Sequence, residues 1–208
     1  VFPWSLDSLR TYLGNDTSWS RIIPNTYEIY WSSNPRKISN SLRREYNVFW
    51  SNYRRNRAEG LGFSPDDIMI IASISQAETK ALDELPRIAA LYISRLRIGK
   101  RLESDPTAVY AYREMTPGTD SVRRVSRKMT RVNHPYNTYI IPGLPPSPIA
   151  TVEPEIIDAV LSAIPKGELY MCADPERIGY HNFTSSFRQH LINSSKYHRS
   201  LNRRGIRQ

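Results

Sequence analysis

Cysteine is almost missing from this chain: among its 208 residues Cys172 stands alone, which excludes an internal disulfide framework and any multi-cysteine metal site. Long apolar runs are missing as well. The longest, from Ile88 to Ile93, falls far short of the ~20 residues that a membrane-spanning helix needs. Glycine is sparse, 9 against 15 prolines, and no low-complexity tract or internal repeat occurs, so the composition describes a globular unit with many ordered turns. No basic, apolar leader pattern opens the chain at Val1. Cys172 lies in the apolar run "LYMCA", which points to a small core side chain and not to a reactive thiol.

Acidic residues are the minority, 20 against 29 lysines and arginines, giving a net charge of +9. The cations cluster at Arg54, Arg55 and Arg57, at Arg123 to Arg131, and at Lys196, Arg199, Arg203, Arg204 and Arg207. Nucleic acid, an acidic membrane surface or an anionic wall polymer would each suit such clusters, and so would plain solvated helix faces. Paired zinc ligands and aromatic-basic strand signatures do not occur, so no nucleic-acid partner is expected.

Hydrophobic spacing predicts helices over residues 6–13 and 34–57, with an extended segment at "IIPNTYEIYW" between them. At "SPDDIMIIASISQAET" a helix start is well specified: Ser64 caps it, Pro65 suits the first turn and Asp67 completes a capping box. Ile70, Ile71 and Ile74 then form a stripe, and Glu78 falls on it, with Gln76 on the opposite, wet face. A second helix carries Ile88, Leu91, Tyr92 and Leu96, with Arg95 at the stripe's edge and Gly99 ending it. A basic helical segment is expected over 122–130. Prolines 142, 145, 146 and 148 fix an ordered loop. Beyond it come a helix with Ile156, Ile157, Val160 and Ile164 inward, a β-hairpin from "ELYMCA" and "GYHNF", and a closing amphipathic helix. The fold class is therefore α+β, mainly helical with a small hairpin lobe.

A carboxyl on an apolar helix face loses hydration when ionised, so its pKa rises and it can hold a proton to donate. Glu78 is thus a candidate general acid. Spacing alone leaves two structural alternatives level with that reading: a buried ion pair with Arg95, or a helix-end carboxylate reaching water.

The segments "IASISQAETK", "LYISRLRIGKRLESDPTAVYA", "YNTYIIPGLPPSPIA" and "LYMCADPERIGYHNF" resemble, in order and spacing, the endolytic murein transglycosylases, from about Ile22 to the C-terminus. That resemblance implies a lysozyme-like cleft and a lyase that cleaves the MurNAc-β-1,4-GlcNAc bond of peptidoglycan strands, leaving 1,6-anhydroMurNAc ends. It implies no cofactor and no metal. Glu78 matches the family's catalytic position, acting as acid and then as base. Thr79, Asp105, Asn137, Tyr139, Gly143, Leu144, Pro145, His181 and Phe183 match its cleft and sugar-contact motifs. Residues 1–23 are then the remnant of a preceding region and 24–208 the catalytic domain. By the same resemblance an N-terminal anchor would tether the protein to the bacterial inner membrane, facing the periplasm beside the cell-wall synthesis machinery.

This chain departs from the family pattern at Gln76, usually Glu, at Ser94, usually Asn, at Glu103, usually Gln, and at Leu191, usually Asn. A muramidase-type hydrolase using Glu78 with Asp105 or Glu103 is the nearest alternative. A non-catalytic polyanion- or glycan-binding module would explain the cations without chemistry. No lysine sits in a context that argues for a pyridoxal phosphate Schiff base.

Overall fold

The structure, a computed structural model, describes Thr11, residues 21–118 and residues 125–203. Among the described residues the elements run α1 (Pro35–Phe49), α2 (Asn52–Leu61), α3 (Pro65–Glu78), α4 (Leu85–Arg97), α5 (Asp105–Met115), a 3-10 turn (Met129–Arg131), α6 (Pro154–Leu161), β1 (Tyr170–Ala173), β2 (His181–Thr184) and α7 (Phe187–Arg203). The strands pair antiparallel, Tyr170 opposite Thr184 and Ala173 opposite His181. This is the expected α+β architecture with a two-stranded hairpin lobe. The helix expected at 6–13 lies outside the described residues apart from Thr11, as does residue 122–124 of the expected basic helix, whose described remainder holds only the 3-10 turn.

Helix α3 is the centre of the fold. Its start follows the sequence: Ser64 Oγ accepts from Asp67 N, and Asp67 Oδ2 accepts from Ser64 N at 2.9 Å, closing the capping box. Its body does not follow the amphipathic reading. Every residue from Ile68 to Ser75 is buried, because α2, α4, α5 and α6 all pack around it. Ile71 faces a larger core shared with Trp50, Ala89, Ile157 and Val160, while Ile70 and Ile74 face a smaller one with Ile88, Leu91, Tyr92 and Leu102. Ile23 also enters the larger core.

The expected single helix over 34–57 is two. Trp50, 1% exposed, turns inward between them and Ser51 starts the second. The arginines that follow close the break: Arg54 Nη1 donates to the Phe49 carbonyl and Arg55 Nε to that of Trp50, satisfying acceptors that the end of α1 leaves open. Arg54 also forms a two-pronged pair with Asp158 at 2.7 and 2.9 Å, fixing α2 to α6. Arg57 donates to the Leu161 carbonyl. This first cationic cluster is thus committed to structure.

Gly99, at φ +67, follows the end of α4, and the amides of Gly99 and Lys100 return to the Leu96 and Arg95 carbonyls. A side chain there would be strained. Two further expectations are corrected. Ile164 is 69% exposed because α6 ends at Leu161, so the helical stripe does not extend to it. Cys172 is half-buried, as is every residue of the two strands.

Replacing Ile157, 0% exposed, by alanine should lower the unfolding free energy by about 2–5 kcal/mol in denaturant titration. Ile164→Ala should stay within about 0.5 kcal/mol of the parent.

Candidate active site

Glu78 is the last residue of α3, and its position follows from the helix it ends. The helix is buried from Ile68 to Ser75 and Glu78 itself is half-buried, so the side chain meets an apolar environment on one side and a cleft on the other. Tyr92 Oη donates to Glu78 Oε1 at 2.5 Å and Ser104 Oγ donates to the same oxygen at 2.8 Å. Oε2 has no hydrogen bond among the described residues and is left on the side of the cleft that Glu78 lines. The two carboxyl oxygens are therefore inequivalent. Arg95 is not the partner: its guanidinium donates to the carbonyls of Leu169 and Leu102 and lies 3.6 Å from Glu103. The ion-pair alternative for Glu78 is thereby removed.

Burial pushes the Glu78 carboxyl above the ordinary carboxylate range; the Tyr92 and Ser104 hydrogen bonds pull it part of the way back, Asp105 raises it and His181 lowers it. The last-turn carbonyls of α3 add negative potential that acts in the same direction as burial. Burial, then the Glu78 charge, raises Tyr92 well above the usual phenol range, so Tyr92 stays a proton-bearing donor.

Ser104 is itself held. Its amide donates to Thr138 Oγ1 at 3.0 Å, its carbonyl accepts from Thr107 Oγ1 at 2.7 Å, and the two threonine hydroxyls meet at 2.7 Å. Ser104, Thr107 and Thr138 are all buried. Just before them Glu103 takes φ 47, the left-handed region, and is fixed there by Arg95, by Lys100 and by its amide N–H, which donates to the Thr138 carbonyl. Strain of about 1–3 kcal/mol is typical of such a residue. It turns the chain so that Leu102 enters the core while Ser104 reaches Glu78.

The cleft measures ≈ 450 Å³. One wall is a single face of α5, comprising Asp105, Pro106, Val109, Tyr110 and Arg113; Ala77, Val125, Ile149 and Ala150 complete the lining with Glu78. Tyr110 packs on Tyr136 at 4.7 Å between ring centres, and His134 stacks on Tyr136 at 5.7 Å, making an aromatic ledge. Asp105 Oδ1 accepts from Tyr139 Oη at 2.6 Å.

The structure brings together some of the residues expected from sequence and sets others behind the cleft. Glu78 and Asp105 share the lining, and Tyr139 is tied to Asp105. Thr79 is buried, donating to the Gly179 carbonyl at 3.0 Å. His181 is held by Glu84, whose carboxylate accepts from the His181 amide at 2.7 Å and meets Nδ1 at 2.8 Å. Phe183 packs against the smaller core beneath Arg87. Asn137 is fully buried and donates to the Met129, Thr130 and Val132 carbonyls, so it shapes the loop. Gly143, at φ +77, Leu144 and Pro145 do not line the cleft; Leu144 borders a separate depression of ≈ 680 Å³.

Gln76 is half-buried, between the enclosed body of α3 and the exposed Ala77. Its Nε2 donates to the Thr151 carbonyl at 3.1 Å, and its Oε1 is buried without a partner. Ser94 turns back to the Ala90 carbonyl and Leu191 is exposed, so neither position contributes to the cleft. Sequence reading missed Ser104, Thr107, Thr138 and Glu84. Tyr92 it saw only as a core residue. The one local clue was a hydroxyl-bearing residue directly before the Asp-Pro turn.

Residues 9–196 match the model of the YceG-like family. Over 135 residues the chain is 30% identical to an endolytic murein transglycosylase of Bacillus subtilis (strain 168), covering 65% of this chain and 35% of that protein. A crystal structure of a YceG-like protein from Listeria monocytogenes superposes with a TM-score of 0.66 at 26% identity, covering 83% of this chain and 54% of that one. The chain thus spans about half or less of the length of these relatives. With the match running through every element that builds the cleft, the chain belongs to the YceG-like family.

Proposed function

We propose that this chain is the catalytic part of an endolytic peptidoglycan lytic transglycosylase in which Glu78 performs both proton transfers. The observation that carries the reading is a half-buried carboxyl at a helix end, with two hydroxyls donating to one of its oxygens and the other oxygen open to a cleft. Its setting in a YceG-like chain, and the name of the Bacillus relative, supply the substrate class.

Two donors on Oε1 make it the carbonyl-like oxygen of the protonated acid, so the mobile proton resides on Oε2. Oε2–H protonates the departing glycosidic oxygen as the C1–O bond breaks. The C6 hydroxyl of the muramyl residue then attacks C1, and Oε2, now a carboxylate oxygen, takes the hydroxyl proton. The carboxyl ends the cycle as it began, and the glycan carries a 1,6-anhydro end. No water is consumed. Positive charge developing at C1 is favoured by the nearby Asp105 carboxylate, which the Tyr139 hydrogen bond holds in place.

The same reading sets the protein at the bacterial inner membrane, its cleft facing the periplasm, with nascent glycan strands and the cell-wall synthesis machinery as partners. Among the described residues no helix is long and apolar enough to cross a membrane, so the tether would lie outside them.

Glu78→Gln keeps an oxygen for Tyr92 and Ser104 but cannot carry the proton. Formation of anhydromuramyl ends from uncrosslinked strands, read by mass spectrometry, should fall by about 10²–10⁴-fold or more. New reducing ends from the parent protein would instead establish hydrolysis with Asp105 as the second carboxylate.

Since the acid must be protonated, activity should decline as pH rises through the raised Glu78 value. Tyr92→Phe removes a hydrogen bond that favours the carboxylate and should move that limb to higher pH, whereas Asp105→Asn removes a raising charge and should move it lower. Shifts of the same sign in both variants would contradict the assignment.

The raised value has a thermodynamic counterpart. A carboxyl whose folded pKa lies above its unfolded one contributes stability that is complete below the ordinary carboxylate range and is lost as pH climbs through the folded value. Glu78→Gln should therefore melt above the parent at high pH, with the difference closing on acidification through that window. Melting curves across the pH series test this.

A further inference from the structure

The face of α5 that lines the cleft is polarised. Asp105 stands at its first residue, beside Glu78, and Arg113 lies eight residues further on in the last turn. Eight residues of α-helix rise about 12 Å, so the cleft runs from an acidic catalytic end to a cationic end. Between them the lining is apolar or aromatic: Val109, Tyr110, Val125 and Ile149. No other cation lines this cleft among the described residues. A guanidinium can donate to neutral sugar oxygens, but its charge adds most where the bound group is anionic.

We propose that Arg113 is a specificity-determining residue that binds a carboxylate carried by the substrate, about two α5 turns from the bond that is broken. This rests on the proposed transglycosylase reading and names which feature of the glycan the cleft selects. Under that reading every second sugar bears a lactyl substituent, which ends either in its own carboxylate or in a peptide that carries carboxylates. The guanidinium suits that group better than an ammonium would, because its planar donor fork meets both carboxylate oxygens at once. The aromatic ledge of Tyr110 and Tyr136 adjoins the same wall and offers a face for the intervening sugar ring. Acid and cation at opposite ends also fix direction: a strand laid the other way would bring its carboxylate toward Asp105, where like charge repels it.

The test separates this inference from the reading beneath it by measuring binding as well as turnover. In the Glu78→Gln background, calorimetric titration with muramyl-containing strands is compared with titration by neutral chitooligosaccharides of equal length, in Arg113, Arg113→Lys and Arg113→Gln proteins. Arg113→Gln should weaken strand binding about tenfold, the scale of one partly solvated charge-assisted contact, and leave the neutral oligosaccharide unaffected. Arg113→Lys should recover part of the loss, and added salt should shrink the difference. In the Glu78 protein, Arg113→Gln should raise KM for strands with kcat held. Equal losses for both ligands, or no loss for strands, would overturn the role of Arg113 while leaving catalysis by Glu78 standing. Absence of anhydro ends from the Glu78 protein, with selective strand binding retained, would overturn the catalytic reading alone.

Discussion

Everything in the cleft depends on keeping one carboxyl dry on one side and wet on the other. Glu78 can be held that way because α3 is enclosed by other helices from Ile68 to Ser75, just before it stops. Where the helix stops, two hydroxyls from α4 and the turn before α5 take one carboxyl oxygen, and the second oxygen meets the cleft. Desolvation then favours the neutral acid. The rest of the site is a set of supports for this arrangement: a threonine pair under Ser104, a left-handed residue at Glu103 to turn the chain, and Arg95 fastening that turn to α4 and the hairpin.

The supports explain how the chain accommodates its departures from the family pattern. Gln76 has no share in the cleft and spends its amide on the Thr151 carbonyl, so losing an acid there removes nothing from a single-carboxyl mechanism. Glu103 is used through its backbone turn and its pairing with Arg95 and Lys100, not as a second cleft carboxylate. The cationic excess divides in the same manner. Arg54, Arg55 and Arg57 bind backbone carbonyls or Asp158 and belong to the scaffold, whereas Arg113 stands on the cleft wall.

What could be read in the sequence was local. The capping box at Ser64, the hairpin, the closing helix and the odd placement of Glu78 each follow from a few neighbouring residues. What could not be read depends on contacts across long separations. Tyr92 and Ser104 meet Glu78 from 14 and 26 positions away, and nothing in a helical stripe distinguishes a tyrosine that packs from one that also donates. The wet face given to Gln76 is only half wet, because α3 is buried on all sides up to Ser75 and meets solvent again only in its last turn, at Ala77. The break at Trp50 was hidden because the residue that interrupts the helix is as apolar as those that would continue it.

The segment that follows Glu78 is fastened to the hairpin at both ends, by Thr79 to the Gly179 carbonyl and by Glu84 to the ring and amide of His181. Mechanically, the hairpin and the acid-bearing end of α3 then form one piece. A force applied to the hairpin, or a molecule docked on it, acts on the angle at which Glu78 meets its substrate without passing through the cleft. The lobe that lines none of the cleft is in this sense its handle.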